Sequence, residues 1–317
     1  MIKNYPILVK REFWEHRGAF IKAPIIVGIV MLVLTVLLYI TGRVFMVKNG
    51  QVEHINSGLS ELANLSQDKL QFFWDSMFIG SAQMFLIILF FVLFFYILGS
   101  LFDDRKDGSI LFWKSLPISD FETVISKIIT AIIFVPLVYA VIFMLFMLCY
   151  LVLSSILFLI SGLNPIDLIW QPVHLFKGFL IMLSGATVQM LWALPIYGWL
   201  MFCSSWFKTK PFLWSFFIPL MIAIAWYFIN AITNISRVFD INMFKIPLRY
   251  IAHAMIPFSS SSNGLTFSYS SKDNTTISEM FHRLGQTVSH IEIVYGAIFA
   301  IIFIGISIWV RRYRNTT

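Results

Sequence analysis

Charged residues are scarce in this sequence, and cysteine is nearly absent. Asp, Glu, Lys and Arg make up 12% of the 317 residues and hydrophobic residues 59%, whereas a soluble domain is about one quarter charged. This composition excludes a soluble globular protein, and it excludes a disordered chain, which needs low hydrophobicity. The two cysteines, Cys149 and Cys203, lie in apolar runs, so neither a disulfide framework nor a zinc site is indicated.

Sequence motifs for catalysis and for nucleotide binding are also missing. The chain has no G-x-x-x-x-G-K-[ST] loop to hold ATP phosphates, and no G-x-S-x-G or H-E-x-x-H motif for a hydrolase. Its six histidines do not show the spacing of a metal site. We therefore expect no enzyme activity, no metal and no cofactor in this chain.

Long apolar runs dominate what is present. A helix needs about 20 mostly apolar residues to cross the hydrocarbon layer of a membrane, and six stretches meet this requirement. The third is too long for one straight span, so it must tilt, kink near Pro136 or project beyond the bilayer. The sequence therefore predicts an all-α membrane protein with six transmembrane helices, at residues 23–40, 77–102, 127–160, 179–202, 211–232 and 291–310.

The positive charge is distributed unevenly between the predicted loops. The net charge is +7, and most of the 23 Lys and Arg residues fall on one side if the N-terminus is placed in the cytoplasm. The positive-inside rule then puts both termini in the cytoplasm. The first 22 residues carry mixed charge and do not look like a cleavable signal peptide. They precede a six-helix domain, 23–310, and a basic cytoplasmic tail, 311–317, follows this domain. The domain includes a long outer loop at 233–290, whose apolar start could lie in the outer interface.

Two segments could carry a function at the cytoplasmic side. Residues 5–20 mix apolar and charged side chains, which favours a helix in the inner interface with its aromatic residues among lipid headgroups and its charges in water. The loop 103–127 carries apolar side chains such as Leu111 and Trp113, which would be costly to leave in water. Composition alone does not decide whether a partner protein or the lipid surface contacts these apolar side chains.

The residues of this loop resemble a pattern found in the type-2 permeases of ABC transporters. These proteins carry an acidic-Arg pair, a Gly-Thr/Ser pair, an apolar helix, a proline nine residues after the glycine and a lysine at the start of the next span. The chain is similar at Asp104-Arg105, Gly108-Ser109, Pro117 and Lys127, although an aspartate stands where glutamate is commoner and Phe112-Trp113 makes the loop more aromatic. The N-terminal KREFWEHRG and the final IWVRRYR also resemble segments of this family.

The resemblance implies a mechanism. The loop between spans 2 and 3 would contain a coupling helix that docks on a separate ABC ATPase, and residues 1–22 would form an amphipathic elbow helix. A bacterial inner-membrane exporter would be completed by two ATPase copies and by a second permease copy in a homodimer or heterodimer. The ATPase copies would bind ATP and Mg²⁺. The permease would contact membrane lipid, and no nucleic acid is expected as a partner. The expected coupling residues are Asp104, Arg105, Gly108, Ser109, Leu111, Trp113 and Pro117, and the expected elbow residues are Arg11, Glu12, Trp14 and Arg17.

The interiors of the spans give a weaker indication of substrate. They carry almost no charge, which argues against a proton- or sodium-coupled carrier. Phe85, Gln189, Trp192 and Asn230 could line a path for an amphipathic substrate such as a drug, a peptide or a lipid. The alternative is ordinary packing, and for Gln83, Gln189 and Asn230 the sequence favours interhelical hydrogen bonds.

Two functions remain open from the sequence. The first is the exporter subunit described above. The second is a non-transporting membrane scaffold or assembly factor whose inner loop binds another cytosolic protein. Both predict the same topology and the same apolar loop.

Overall fold

A computed structural model of the chain describes residues 5–44, 47–48, 51–52, 64–108, 118–233, 245–258 and 284–314. The described structure is helical, apart from two-residue strands β1 (Val47–Lys48) and β2 (Gln51–Val52), which pair antiparallel. The helices are α1 (Tyr5–Glu15), α2 (Ala23–Val44), α3 (Gln67–Lys106), α4 (Asp120–Ile129), α5 (Val135–Ile160), α6 (Leu175–Trp206), α7 (Pro211–Thr233), α8 (Lys245–Met255) and α9 (Ile291–Arg314).

Within the residues that the structure describes, six helical segments are long and apolar enough to cross a membrane, which confirms the predicted all-α, multi-pass membrane architecture. Two of these segments combine an α-helix with a π-helical turn that is continuous with it, and in a third a π-helical turn, Ile166–Trp170, precedes α6. In chain order, spans 1 to 6 are Gly18–Ile40, Gln67–Lys106, Asp120–Ile160, Ile166–Trp206, Pro211–Ile232 and Ile291–Tyr313.

Spans 2, 3 and 4 are longer than a bilayer requires. Span 3 has 41 residues, which at about 1.5 Å per residue is roughly twice the hydrocarbon thickness. A π-helical turn, Thr130–Phe134, precedes Pro136 near the start of α5. A proline lacks the N–H that a regular helix needs, and a π turn is a common way to accommodate an interrupted hydrogen-bond pattern. The long span therefore contains an irregular turn and has ends that project beyond the hydrocarbon layer.

Span 4 is the central helix of the bundle. It packs against spans 2, 3 and 6 and against α8. In the most apolar stretch of spans 2 and 4, 56% of the residues are buried within the chain, whereas in spans 1 and 5 only 11% are. The peripheral spans therefore present most of their apolar surface to the surroundings, as helices in a bilayer can do without cost.

The predicted outer loop contains a packed helix. Helix α8 lies against span 4 and is joined to span 6 by an ion pair between Arg249 and Glu292. Gln83 of span 2 donates a hydrogen bond of 2.6 Å to the carbonyl oxygen of Met255 at the end of α8. Phe258, which follows, is buried. This part of the loop thus forms a cap over one end of the bundle.

Candidate functional site

Four charged side chains from four helices are buried at the opposite end of the bundle from α8. Glu12 of α1 is 1% exposed, Asp104 of span 2 is 6%, Lys127 of α4 is 2% and Arg311 of span 6 is 2%. Burial of a charged group is costly unless the group is paired, so side chains this dry require partners of opposite charge. We call this group, together with Asp120, the ion network.

The charges of the ion network alternate in sign. The ammonium nitrogen of Lys127 lies 3.1 Å from Glu12 Oε1 and 3.5 Å from Asp104 Oδ2. The guanidinium of Arg311 reaches Asp104 Oδ2 at 3.2 Å through Nη1 and Asp120 Oδ1 at 2.9 Å through Nε. Each buried cation therefore bridges two carboxylates, and the five side chains connect α1 with spans 2, 3 and 6.

Glu12 receives two further contacts. The hydroxyl of Tyr96 donates a hydrogen bond of 3.1 Å to Glu12 Oε2, and Arg11 forms an ion pair of 3.3 Å with Glu12 Oε1. The buried carboxylate is thus surrounded by donors from its own helix, span 2 and α4. The prediction that the charges of the N-terminal helix lie in water is wrong for Glu12, because the helix packs this residue against the bundle.

Local sequence explains how α4 contributes to the network. Ser119 caps the helix by accepting a hydrogen bond from the backbone N–H of Glu122, and the Glu122 side chain accepts one from the backbone N–H of Ser119. This capping box starts the helix at Asp120. Lys127 follows two turns later, on the same face. The cap therefore fixes the helix start that brings Asp120 and Lys127 to the network.

Arg105 joins span 2 to the end of span 4. Its guanidinium donates to the carbonyl oxygens of Ser204 and Phe207, and the Ser204 hydroxyl accepts from the backbone N–H groups of Leu101 at 3.1 Å and Phe102 at 3.0 Å. The last carbonyls of a helix have no partner within the helix, so a guanidinium there is favourable. In this arrangement Asp104 and Arg105 contact other parts of the chain, and their predicted role in docking an ATPase stays a prediction.

The other expected elbow residues lie nearer the surface. Trp14 is 55% exposed, and the guanidinium carbon of Arg17 lies 5.6 Å from the centre of its ring. His16 packs edge-on against Tyr96, with ring centres 4.9 Å apart. Burial lowers the pKa of His16 from its usual 6.5, with Lys127 lowering it further and Glu12 opposing the shift. The helix thus combines an exposed aromatic side with a side that is bound to the bundle.

The predicted coupling segment is only partly within the described residues. Gly108 follows α3 with a φ of +69°, a conformation that glycine adopts without strain. Ser109, Leu111, Trp113 and Pro117 lie outside the described residues, which resume at Ile118. The ends of this segment are nevertheless placed, because Asp104 precedes it, Asp120 follows it, and both carboxylates bind Arg311.

Three of the residues considered for a substrate path lie inside the packed bundle. Phe85, Gln189 and Trp192 have no exposed surface. Gln189 donates a 2.7 Å hydrogen bond to the carbonyl oxygen of Leu86, Phe85 packs against Phe143, and Trp192 packs against His253 with ring centres 4.3 Å apart.

The expected interhelical bonds of Gln83 and Gln189 are confirmed. Asn230 lies half-buried near the end of span 5. A substrate path through these positions stays a prediction.

Within the described ranges, no group of three or more His, Cys, Asp or Glu side chains could hold a metal ion. No protein-family model, curated protein or solved structure matches the chain. The buried ion network is therefore the most specific chemical feature that the described structure offers.

Proposed function

We propose that this chain is the membrane-spanning permease subunit of an ABC exporter, which moves an amphipathic substrate across the bacterial inner membrane. Energy would come from two copies of a separate ATPase, and a second permease copy would complete the assembly. Both termini would face the cytoplasm. The chain itself would be no enzyme, and ATP and Mg²⁺ would be bound by the partner.

One observation carries this proposal more than any other. The guanidinium of Arg311 binds Asp104, before the segment 109–117, and Asp120, after it. The segment between them contains Leu111 and Trp113, which favour contact with another protein or with lipid. A force applied to this segment would therefore act on two ends that Arg311 holds together.

The remaining contacts of the ion network extend from these two ends into the bundle. Asp104 also binds Lys127, which binds Glu12 of α1, and Arg105 binds the end of span 4. A displacement of the segment would be transmitted to α1 and to spans 2, 3, 4 and 6. Such a connection suits a subunit that must convert movement of an ATPase into a change of the transmembrane bundle.

The first experiment tests partner binding. The chain, purified through a tag, is mixed in turn with each ABC ATPase of its own organism, and the bound ATPase is quantified. Trp113→Asp should abolish binding, because a charge replaces the apolar side chain expected to enter the partner. Trp170→Asp, which changes a 43% exposed tryptophan beyond the predicted coupling segment, serves as the matched control and should bind normally. Equal binding by both variants would overturn the assignment of the coupling segment.

The second experiment separates an exporter from a scaffold. Vesicles containing the chain and the ATPase are supplied with ATP and with a fluorescent lipid or a cationic amphipathic dye. ATP-dependent movement that Trp113→Asp abolishes supports the exporter. Partner binding without movement of any such probe supports the scaffold, which the apolar segment would serve equally well.

A further inference from the structure

A cleft of about 550 Å³ opens between the start of α4 and the end of span 6. Its lining includes Ser119, Asp120, Phe121, Ile308, Arg311 and Arg312. This volume is in the range of small-ligand sites, and the lining mixes basic and apolar side chains. Of the residues that line the cleft, Arg311 and Asp120 belong to the ion network described above.

The two arginines of the cleft differ in their contacts. Arg311 is buried and is bound to Asp104 and Asp120. Arg312 is exposed and forms no ion pair among the described residues; its guanidinium carbon lies 5.5 Å from the centre of the Tyr313 ring. The charge of Asp120 is already compensated by Arg311. Among the described residues that line the cleft, Arg312 is therefore a cation without an ion-pair partner, and it is available to a negatively charged ligand.

The lining of the cleft also includes apolar side chains. Phe121 is 53% exposed, and Ile308 is partly buried one turn before Arg312. Two aromatic residues of the same helix end, Trp309 and Tyr313, are 58% and 60% exposed. Exposed Trp and Tyr at the end of a transmembrane helix mark the level of the lipid headgroups. The cleft thus lies at the level where a lipid phosphate would meet the protein, and its lining offers apolar surface to an acyl chain.

We propose that this cleft binds one anionic phospholipid, with its phosphate against Arg312 and the start of an acyl chain against Phe121 and Ile308. A guanidinium matches a phosphate with two parallel hydrogen bonds, and basic pockets between transmembrane helices on the cytoplasmic side are suited to anionic headgroups. Free phosphate would use the cation and leave the apolar side chains unused. A zwitterionic lipid would bring its own positive charge to a basic site. This inference is independent of the transport function.

The test measures lipid binding directly. Detergent-purified protein is titrated with phosphatidylglycerol or phosphatidylcholine, and bound lipids are counted by native mass spectrometry. One phosphatidylglycerol per chain should bind with preference over phosphatidylcholine. Arg312→Gln should weaken the binding of phosphatidylglycerol about fivefold and leave that of phosphatidylcholine unchanged, since one basic residue near anionic lipid contributes about that factor.

Three further measurements sharpen the result. Lys10→Gln removes an exposed positive charge from α1, outside the cleft, and should leave binding of phosphatidylglycerol unchanged. Arg312→Lys should restore part of the affinity. Phe121→Ser should weaken binding although it alters no charge.

Two outcomes would overturn the proposal. The first is an equal loss in Arg312→Gln and Lys10→Gln, which would indicate a general effect of charge. The second is displacement of the lipid by millimolar inorganic phosphate together with no effect of Phe121→Ser, which would indicate a site for a free anion.

Discussion

At the scale of the residue, Glu12 is a buried carboxylate that several donors contact. Its carboxylate accepts from Lys127 at 3.1 Å and from Tyr96 at 3.1 Å, and only 1% of the residue is exposed. A buried pair is weak evidence for net stability, because desolvation offsets the attraction. Removal of one partner is a different case, since the remaining charge stays buried without compensation.

We therefore predict that Glu12→Gln destabilises the chain by about 3 kcal/mol, at the lower end of the range for a broken buried pair because Asp104 still contacts Lys127. Thermal unfolding in detergent would measure the loss. Glu15→Gln is the matched control, because Glu15 is 52% exposed and pairs only with Arg11 among the contacts that the structure gives it. Its effect should stay below about 0.5 kcal/mol.

A second substitution distinguishes the ion pair from a packing effect. Lys127→Met in the Glu12→Gln background removes the uncompensated cation and should recover part of the lost stability. Additive losses in the double variant would show that the two side chains act independently.

His16 gives the site a dependence on pH. Because burial lowers the pKa of His16 below 6.5, the folded chain binds fewer protons at this side chain than the unfolded chain does. The contribution of neutral His16 to stability is full above pH 6.5 and is lost as the pH falls through 6.5 toward the lower pKa of the folded state.

The unfolding temperature of the wild type should therefore fall more steeply between pH 7.5 and pH 5 than that of His16→Gln. The exposed His290 supplies the comparison, and His290→Gln should keep the slope of the wild type. Parallel curves for wild type and His16→Gln would contradict the prediction.

The sequence identified part of this site and missed its arrangement. Asp104, Arg105 and Lys127 attracted attention through a family resemblance, and Glu12 through its place in an amphipathic segment. Their mutual contacts were not predictable from spacing, because Glu12 and Lys127 are separated by 115 positions and Asp104 and Arg311 by 207. The local sequence around Glu12 shows only that this acidic residue precedes Phe13 in a partly apolar helix.

At the scale of the element, the backbones of spans 4 and 6 approach each other closely at Gly198. A Cβ atom added to Gly198 would lie 2.7 Å from the Cα atom of Ala300 and 3.0 Å from its carbonyl oxygen. Small residues at such crossings let backbones approach, which is a main source of helix association in membranes. The atoms nearest to the added Cβ belong to the backbone of Ala300, so the contact cannot be relieved by the movement of a side chain.

Gly198→Ala should therefore separate spans 4 and 6 and lower stability by about 1–3 kcal/mol, as overpacking does in closely packed interiors. Gly305→Ala in span 6 is the matched control, because no atom lies within 4 Å of the added Cβ. That variant should be neutral or slightly stabilised, since alanine favours a helix over glycine. The unfolding temperatures of the two variants test this prediction, and an equal change in both would contradict it.

The elements themselves were largely predictable. Hydrophobic runs predicted all six spans because a membrane imposes the same length requirement on every crossing. The ends were less predictable: span 2 extends to Gln67 and Lys106, beyond the apolar core of 77–102, since polar residues continue a helix outside the hydrocarbon layer. Helix α8 was predicted only as a segment of the outer interface, and its packing on span 4 depends on side chains distant in sequence.

At the scale of the whole molecule, the proposed orientation makes a simple prediction. In a cysteine-free background, Gln171→Cys in the turn that precedes α6 should react with a membrane-impermeant maleimide in intact cells. Lys208→Cys between spans 4 and 5 should react only after the inner membrane is permeabilised. Both positions are exposed, so access depends on the side of the membrane rather than on burial. The reverse pattern would place both termini outside and remove the basis for an intracellular ATPase.

Arg311 has a consequence for the biosynthesis of the chain. It follows Asp120, one of its two carboxylate partners, by 191 residues. At a translation rate of about 5–20 residues per second, the two aspartates exist for about 10–40 seconds before their arginine is made. The ion pairs of Arg311 can close only after span 6 has been synthesised, so a ribosome that stalls before this point leaves a nascent chain in which Asp120 lacks its arginine partner.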